Sequence, residues 1–560
     1  MTVRRLIECV PNFSEGRDKK VIDAITDAIA SVDGVKLLDV DPGKATNRTV
    51  VTFAGEPEPV IEAAVRGAKR AAELIDMRKH KGEHPRFGAL DVCPLVPISG
   101  VTLAEAAEHA RVLGKRLAEE AGLTVFLYEA AASTPARKNL ADVRAGEYEG
   151  LAEKLARPEW KPDFGPARFD ERRGATACGA RGFLVAYNVN FNTTSVKRAN
   201  DIAMSVREQG RVARDEKGEI LLDAKGEKIK IPGTLKSVKA IGWYIEEYGI
   251  AQLSMNLTNV DVTPVHVAFD EVVKQATERG LRVTGSEIVG LVPLDSLLTA
   301  GRHYLARQRR SSGISDAELI KIAVKSLGLD DLAPFDPKQR VIEYVLAKDA
   351  PKKLVDKSVR GFVEETASES VAPGGGSVAA AAGALGAALA TMVANLSIEK
   401  KGFEARFAEL DAVAARGKRL HDELLRLVDA DTDAYNAIAT ARRMPKVTPT
   451  ESGARDAAIQ EATRGAIRVP LAVMQASVEA LEIALAMATG GLPASASDAG
   501  VGALMARAAV RGAGLNVRIN VKDLVLEGER SEFLARCSEL EDRAADLESR
   551  ALVAVAAHLA

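Results

Sequence analysis

Between residues 378 and 396 the chain runs for nineteen residues without a charged side chain, and most of those side chains are alanine or glycine. Alanine at this density favours a helix, because it loses no side-chain entropy there. Such a helix has no polar face to offer water and must be buried on nearly all sides. Gly383, Gly386 and Ala390 keep its surface shallow enough for neighbouring helices to approach closely. A bilayer would accept the same length. The run is poor in leucine and isoleucine, however, lacks an aromatic belt and has no second candidate to support it. The expectation is a buried helix in a bundle or an oligomer core, with no membrane.

Residues 347–358 are charged, contain a proline and mark a change of composition. A linker is expected at 347–357. The alanine-rich remainder, 358–560, reads as an all-α helical bundle whose single candidate strand is 515–519. A chain of 560 residues has room for about three or four domains. The first half supplies a different pattern. A short apolar strand at 4–10 ends in the turn Pro11-Asn-Phe-Ser-Glu-Gly16, and 18–31 carries Val21, Ile22, Ile25, Ala28 and Ile29 at helical spacing. Strands at 35–40 and 50–53, a helix at 57–75 and an apolar run at 89–98 complete a split βαβ order, which gives an antiparallel-rich sheet with helices on one face. A comparable set begins with a strand at 183–191. It continues with helical segments at 196–209 and 266–279 around strands at 235–243 and 251–256. The fold class expected is an α/β (α+β-like) half of two sheet-and-helix subdomains, 1–182 and 183–346, followed by the bundle. Residues 215–232 alternate charge with glycine and are expected to protrude as a hairpin.

A net charge of −2 provides no field toward nucleic acid or anionic membranes. Cys9, Cys93, Cys178 and Cys537 are scattered, with no CxxC, as expected of buried thiols in a reducing compartment. The first residues carry charge inside their apolar run and no cleavage site, so the cytoplasm is the expected location.

Residues 77–95 hold His80 and His84 among Lys79, Lys81, Glu83, Arg86 and Asp91, with Gly82, Pro85 and Gly88 opposing a long helix. The string His80-Lys-Gly-Glu-His84 matches the H-x-x-E-H pattern of one class of zinc peptidases. That chemistry needs both histidines on one helical face, which Gly82 and Pro85 disfavour, so no metal is expected. A histidine acting as general acid and base near neutrality fits better, with Glu83 and Asp91 available to orient it. The residues alone do not choose between His80 and His84. Asp39, Asp41 and Arg48 flank a strand-turn-strand, and two carboxylates with a guanidinium suit a cationic amidine borne on an amino-acid carboxylate. The loop Gly165-Pro166-Ala167-Arg168-Phe169-Asp170-Glu171-Arg172-Arg173-Gly174 is glycine-bounded and offers backbone amides and three guanidiniums to a polyanion.

In the bundle, Leu424, Leu427, Val428, Asp431, Tyr435 and Ile438 share one helical face, whereas Asp429 and Asp433 fall off it. A carboxyl on that face is desolvated and able to carry a proton near neutral pH. The D-x-D-x-D spacing lacks the glycine and distal glutamate of a calcium loop. Ser370-Val-Ala-Pro-Gly-Gly-Gly-Ser377 opens the alanine-rich helix with free amides that could bind an anion.

Several strings together resemble the formimidoyltransferase-cyclodeaminase family of histidine degradation. They are Glu8-Cys-Val-Pro-Asn-Phe-Ser-Glu-Gly16, Leu38-Asp-Val-Asp41 with Thr46-Asn-Arg-Thr49, and Gly82-Glu-His-Pro-Arg86 with Gly88-Ala-Leu-Asp-Val-Cys-Pro94. Further on are Ala240-Ile-Gly-Trp-Tyr244, Gly290-Leu-Val-Pro293, Ala372-Pro-Gly-Gly-Gly-Ser377, Val428-Asp-Ala-Asp431 and Asn516-Val-Arg-Ile-Asn520. The resemblance implies two reactions. The first half moves a formimidoyl group from N-formimidoyl-L-glutamate to N5 of tetrahydrofolate, the co-substrate. The helical part then closes 5-formimidoyltetrahydrofolate to 5,10-methenyltetrahydrofolate and releases ammonia. It also places the transferase acid/base on His84, the folate loop on residues 165–174 and the cyclodeaminase residue on Asp431, in a homo-oligomer. The rival readings are a zinc hydrolase using His80 and His84, and a non-catalytic folate-binding scaffold.

Overall fold

Strand β1 (Leu6–Cys9) alternates the buried apolar side chains Ile7 and Cys9 with a buried carboxyl, Glu8. The same two-residue period runs through the strands around it. The sheet comprises β1, β2 (Asn12–Phe13), β3 (Val35–Gly43), β4 (Arg48–Gly55), β5 (Leu90–Ser99), β6 (Thr124–Glu129) and β7 (Ala175–Ala180). Its order is β3-β4-β1/β2-β5-β7-β6, antiparallel as far as β5 and parallel where β7 meets β5 and β6. Phe13, Val51, Phe53, Cys93 and Leu95 join Ile7 and Cys9 in one core with the helices Lys19–Ala30, Pro57–Leu74 and Leu103–Ala121. Glu8, Asn12, Arg48, Thr52, Val92 and Pro94 occupy the alternate positions and turn to the other face. The three long helices lie on one face, as expected, but the other face is only partly free: toward β7 and β6 a second apolar cluster packs Val92, Phe126 and Ala177 against the short helices Leu140–Val143 and Leu151–Leu155.

This computed structural model describes residues 5–44, 46–82, 85–348 and 352–559. A second, fully antiparallel sheet contains β8 (Val185–Phe191), β11 (Val238–Ile245), β12 (Ile250–Leu257) and β13 (Val283–Val289), in the order β11-β12-β8-β13. The expected hairpin is a more compact device. Strands β9 (Arg211–Val212) and β10 (Lys230–Ile231) pair at its base, and bridges Arg214↔Ile220 and Leu222↔Lys228 close two successive turns. Asp215 and Asp223 set those turns by accepting backbone N–H groups two and four residues on.

The chain divides into two compact units, residues 1–300 with 324–350 and residues 301–323 with 351–560. The second is helical, built around Gly375–Ile398, Phe407–Arg442, Pro449–Gly490, Ala496–Val521 and Glu527–Leu559. Gly383 lies against Ser477 and Ala509, and Gly386 against Gly502 and Ala506, the close approach that small residues permit. Residues 301–323 join this unit through Ser311, whose hydroxyl donates to Asn395 at 2.6 Å, and an Asp316–Lys418 ion pair at 2.8 Å. Two sequence expectations fail here. Residues 515–519 are not a strand but lie inside the helix Ala496–Val521. Their β-branched Val517 and Ile519 favour a strand locally, but Val517 is fully buried on the helix's packed side, and tertiary packing overrides propensity. The apolar helix Gly375–Ile398 is also not alone: Pro449–Gly490 too is long and apolar enough to cross a membrane, and the most apolar stretch of each is 61 % buried.

Two candidate active sites

The polar face of the first sheet opens onto a cavity of about 400 Å³ that Ala186, Asn256 and Val289 of the second sheet also line. Glu8, Asn12, Asp39, Asp41, Arg48, Thr52, Tyr128 and Arg181 are its polar contributors from the first subdomain. Asp39, Asp41 and Arg48 are thus brought together, as their spacing around the β3–β4 turn suggested. Arg48 is anchored at its base: it pairs with the fully buried carboxylate of Asp91 and donates to Asn12 Oδ1 at 3.0 Å. Arg144 reaches the same Asp91 oxygen at 2.9 Å. Asp91, a candidate to orient histidine, is instead committed to two guanidiniums through that oxygen. Burial and the neighbouring Asp41 push the Asp39 carboxyl above its usual range. Burial pushes Glu8 further, to about 7, against the pull of Arg181.

Glu83 and His84 lie outside the described residues. The chain on either side of them is clipped in place. His80 is buried, its Nε2 is 2.7 Å from the Asn47 carbonyl, and burial holds its pKa below the ordinary histidine value. Asn47 donates in turn to the Lys81 carbonyl at 3.0 Å. A Cβ on Gly82 would lie 2.1 Å from the Thr46 carbonyl oxygen, so only glycine permits this approach. On the far side Arg144 donates to the Pro85 carbonyl at 2.7 Å, and Arg86 holds Glu149 at 2.8 Å and stacks over Tyr148 at 4.5 Å. Residues 77–82 form a turn and an extended segment, not the helix that a zinc site with H-x-x-E-H geometry requires. Among the described residues no three His, Cys, Asp or Glu side chains come together as metal ligands.

The loop 165–174 does not line the cavity. It packs against the histidine segment: Met77 N–H donates to the Arg172 carbonyl, Ala89 N–H to the Arg173 carbonyl, and Gly88 bridges Gly174. Its arginines are unequal. Arg172 donates to the Glu73 carbonyl at 2.6 Å, and Arg173 lies 3.4 Å from Asp170. Arg168 is exposed.

In the helical unit a second cavity of about 160 Å³ is lined by Gly374, Gly375, Asp431, Tyr435, Asn516 and Asn520, among others. Asp431 Oδ2 accepts the Ser377 N–H at 2.9 Å at the start of the helix Gly375–Ile398, and the Ser377 hydroxyl is 3.2 Å away. The free amides foreseen as an anion seat thus already hold one carboxylate of this chain. A Cβ on Gly376 would sit 2.1 Å from Asp431 Oδ1, which explains a glycine there. Desolvation raises the Asp431 pKa, and the Ser377 hydrogen bonds oppose the rise. Asp429, placed off the apolar face by helical spacing, is raised by burial too, but it caps another segment by accepting the Leu354 N–H at 2.7 Å. Only Asp431 of the two reaches the cavity.

Sequence reasoning missed Glu8, Tyr128, Arg181 and Asn256 in the first cavity and Asn516 and Asn520 in the second. A signal existed for Glu8, a charge in an apolar strand. One also existed for the asparagines, four residues apart and hence on one helical face, but the expectation of a strand at 515–519 hides it.

A carboxylate- and guanidinium-lined cleft between two α+β subdomains, joined to a helical unit with its own half-buried carboxyl, defines a two-centre enzyme. The chain belongs to the formiminotransferase-cyclodeaminase family. Residues 6–181 match the formiminotransferase domain, N-terminal subdomain, residues 186–347 the formiminotransferase domain, and residues 358–539 the formiminotransferase-cyclodeaminase model. The formimidoyltransferase-cyclodeaminase of Mus musculus is 45 % identical over 537 residues, covering 96 % of each chain. The glutamate formimidoyltransferase of Thermoplasma acidophilum is 43 % identical over 302 residues, 54 % of this chain and 92 % of its own length. The methenyltetrahydrofolate cyclohydrolase of Methylorubrum extorquens is 39 % identical over 186 residues, 33 % of this chain and 88 % of its own.

Proposed function

We propose that the two cavities carry out the two steps in turn, with the catalytic work assigned to His84 in the first and Asp431 in the second. The enzyme transfers the formimidoyl group of N-formimidoyl-L-glutamate to N5 of tetrahydrofolate and cyclises the product to 5,10-methenyltetrahydrofolate with loss of ammonia. Family membership over nearly the whole chain is the observation that carries this reading. In the first step N5 attacks the amidine carbon, a tetrahedral adduct forms, and His84 passes a proton to the departing glutamate nitrogen. Asp41 and Arg48 supply opposite charges for the amidinium and a substrate carboxylate, with Glu83 a supporting group beside His84. The loop 165–174 seats folate, and Arg168, Arg172 and Arg173 suit a glutamate tail, Arg168 and Arg172 being exposed. In the second step N10 attacks the same carbon, and ammonia leaves on a proton that Asp431 supplies or relays. No metal takes part in either step as proposed.

The test is a single mixture of protein, tetrahydrofolate and N-formimidoyl-L-glutamate followed by the absorbance of methenyltetrahydrofolate and by released ammonia. Both should appear together in equal amount. Binding of folate without turnover would instead favour the scaffold reading, and activity lost to chelators with stoichiometric zinc would favour the hydrolase.

Ser377 gives the second site a pH signature. Its hydrogen bonds hold the Asp431 pKa down against burial. Removing the hydroxyl with Ser377→Ala should raise that pKa further, so the protonated acid persists to higher pH. The alkaline limb of ammonia release should therefore move upward; an unmoved or lowered limb counts against Asp431 as the proton source.

Domain limits of 1–182, 183–346 and 358–560, with 347–357 between them, suit the two reactions. Self-association into a homo-oligomer is supported by an apolar groove of about 440 Å³ in the helical unit, lined by Val355, Val359, Phe362, Leu385 and Leu425. Val359 there is 84 % exposed, a poor surface to leave in water. Four free, buried cysteines accord with a reducing cytoplasm, and the near-zero net charge with no nucleic-acid or membrane partner.

A further inference from the structure

We propose that Glu8, in the first cavity, is a second catalytic residue of the transfer step, the base that takes the proton from tetrahydrofolate N5 as N5 attacks. The proposal rests on assigning that cavity to the formimidoyl transfer.

Glu8 sits mid-strand in β1, opposite Ala54 of β4 and Val96 of β5, at the alternate position to the core residues Ile7 and Cys9. It is 6 % exposed and lines the cavity, and among the described residues no hydrogen bond reaches its carboxyl. An unpaired buried carboxyl costs several kcal/mol when ionised, whereas an apolar residue at the same position would cost nothing of the kind. A carboxyl in that position, without a hydrogen bond among the described residues, is explained by something that enters the cavity.

The charges around it come from several elements. Arg181, which follows β7, draws its pKa down; Glu343, on the helix Ile342–Ala347, pushes it up; burial exceeds both and leaves it near 7. Asp39 and Asp41 on β3, Arg48 on β4 and Tyr128 on β6 share the cavity. Arg48 holds Asp91 and Asn12 through Nη1 and Nε, and it is not among the charges that shift Glu8. Near neutrality Glu8 thus exists in both forms and is able to accept and return a proton.

The reaction needs this. When the N5 lone pair bonds to the amidinium carbon, the C=N electron pair withdraws to the terminal nitrogen, and N5 is left with a positive charge and a proton. That proton passes to the Glu8 carboxylate. The glutamate nitrogen takes a different proton, from His84, and leaves with the electron pair of its C–N bond. The terminal nitrogen's lone pair re-forms C=N. Glu8 ends protonated and His84 neutral, and exchange with solvent restores both. The two groups serve two nitrogens on one carbon without one side chain having to move between them.

The experiment compares the transfer step of the full chain with Glu8→Gln and Glu8→Asp, using tetrahydrofolate and N-formimidoyl-L-glutamate across a pH series. Glutamine keeps the shape and cannot ionise. The expected result is a fall in kcat of about 100-fold or more, KM values changed little, and loss of the acidic limb near pH 7. Aspartate, still ionisable, should recover part of kcat, which a purely structural role does not predict. A Glu8→Gln enzyme with unchanged kcat and an intact limb overturns the proposal, and so does a raised KM alone, which would make Glu8 a binding group. Asp41→Asn separates the two levels. If it slows transfer while Glu8→Gln does not, only the role of Glu8 fails; if neither variant affects transfer, the cavity assignment fails with it.

Discussion

Replacing Asp431 with Asn should leave the formimidoyl transfer at its normal rate and slow ammonia release by about 100-fold or more, so that 5-formimidoyltetrahydrofolate accumulates. Asparagine keeps the size of the side chain and an oxygen for the Ser377 N–H, so the start of the helix Gly375–Ile398 stays capped and the packing around Gly376 is preserved. What it removes is the exchangeable proton. The wild-type carboxyl is half-withdrawn from water and raised by that burial, the condition under which a carboxylic acid donates near neutral pH. Stopped assays in which the methenyl absorbance is missing but acid converts the pool to methenyltetrahydrofolate would identify the accumulated intermediate. Normal ammonia release by the variant would reduce Asp431 to a helix cap.

His84→Ala is expected to have the opposite phenotype, with no formimidoyl transfer above about 1 % of the wild-type rate and no intermediate to pass on. His80→Ala should behave differently, although the two residues are neighbours in the same string. His80 spends its Nε2 on the Asn47 carbonyl and is buried, so its loss loosens the clip at residues 46–48 and should cost stability before chemistry. Thermal melting alongside transfer kinetics separates them: His84→Ala melts like wild type without transfer, and His80→Ala melts lower with part of its activity retained.

Much of the molecule was legible because it follows simple periods. The two-residue alternation in β1, β4 and β5 fixes which face meets the helices, and the uncharged run at 378–396 fixes a bundle. Asp39, Asp41 and Arg48 could be grouped because the β3–β4 turn keeps them close in sequence. Glu8, Tyr128, Arg181 and Asn256 reach the same cavity from four separate elements, and no local pattern registers that convergence. Asp431 was legible from its helical face, but its partner Ser377 is 54 residues away. The strand expected at 515–519 shows the reverse error, local β-branching read without the packing that overrules it. The loop 165–174, proposed to seat folate, was marked by its glycines and arginines, whereas its attachment to the histidine segment rests on backbone hydrogen bonds that side-chain identity does not encode.

The most direct test of two separate centres supplies the His84→Ala enzyme with 5-formimidoyltetrahydrofolate itself. The account predicts methenyltetrahydrofolate and ammonia at the wild-type rate, since Asp431 and its cavity lie wholly within the helical unit. Failure of the folded variant to cyclise the supplied intermediate would contradict it, because the two steps would then depend on one shared residue.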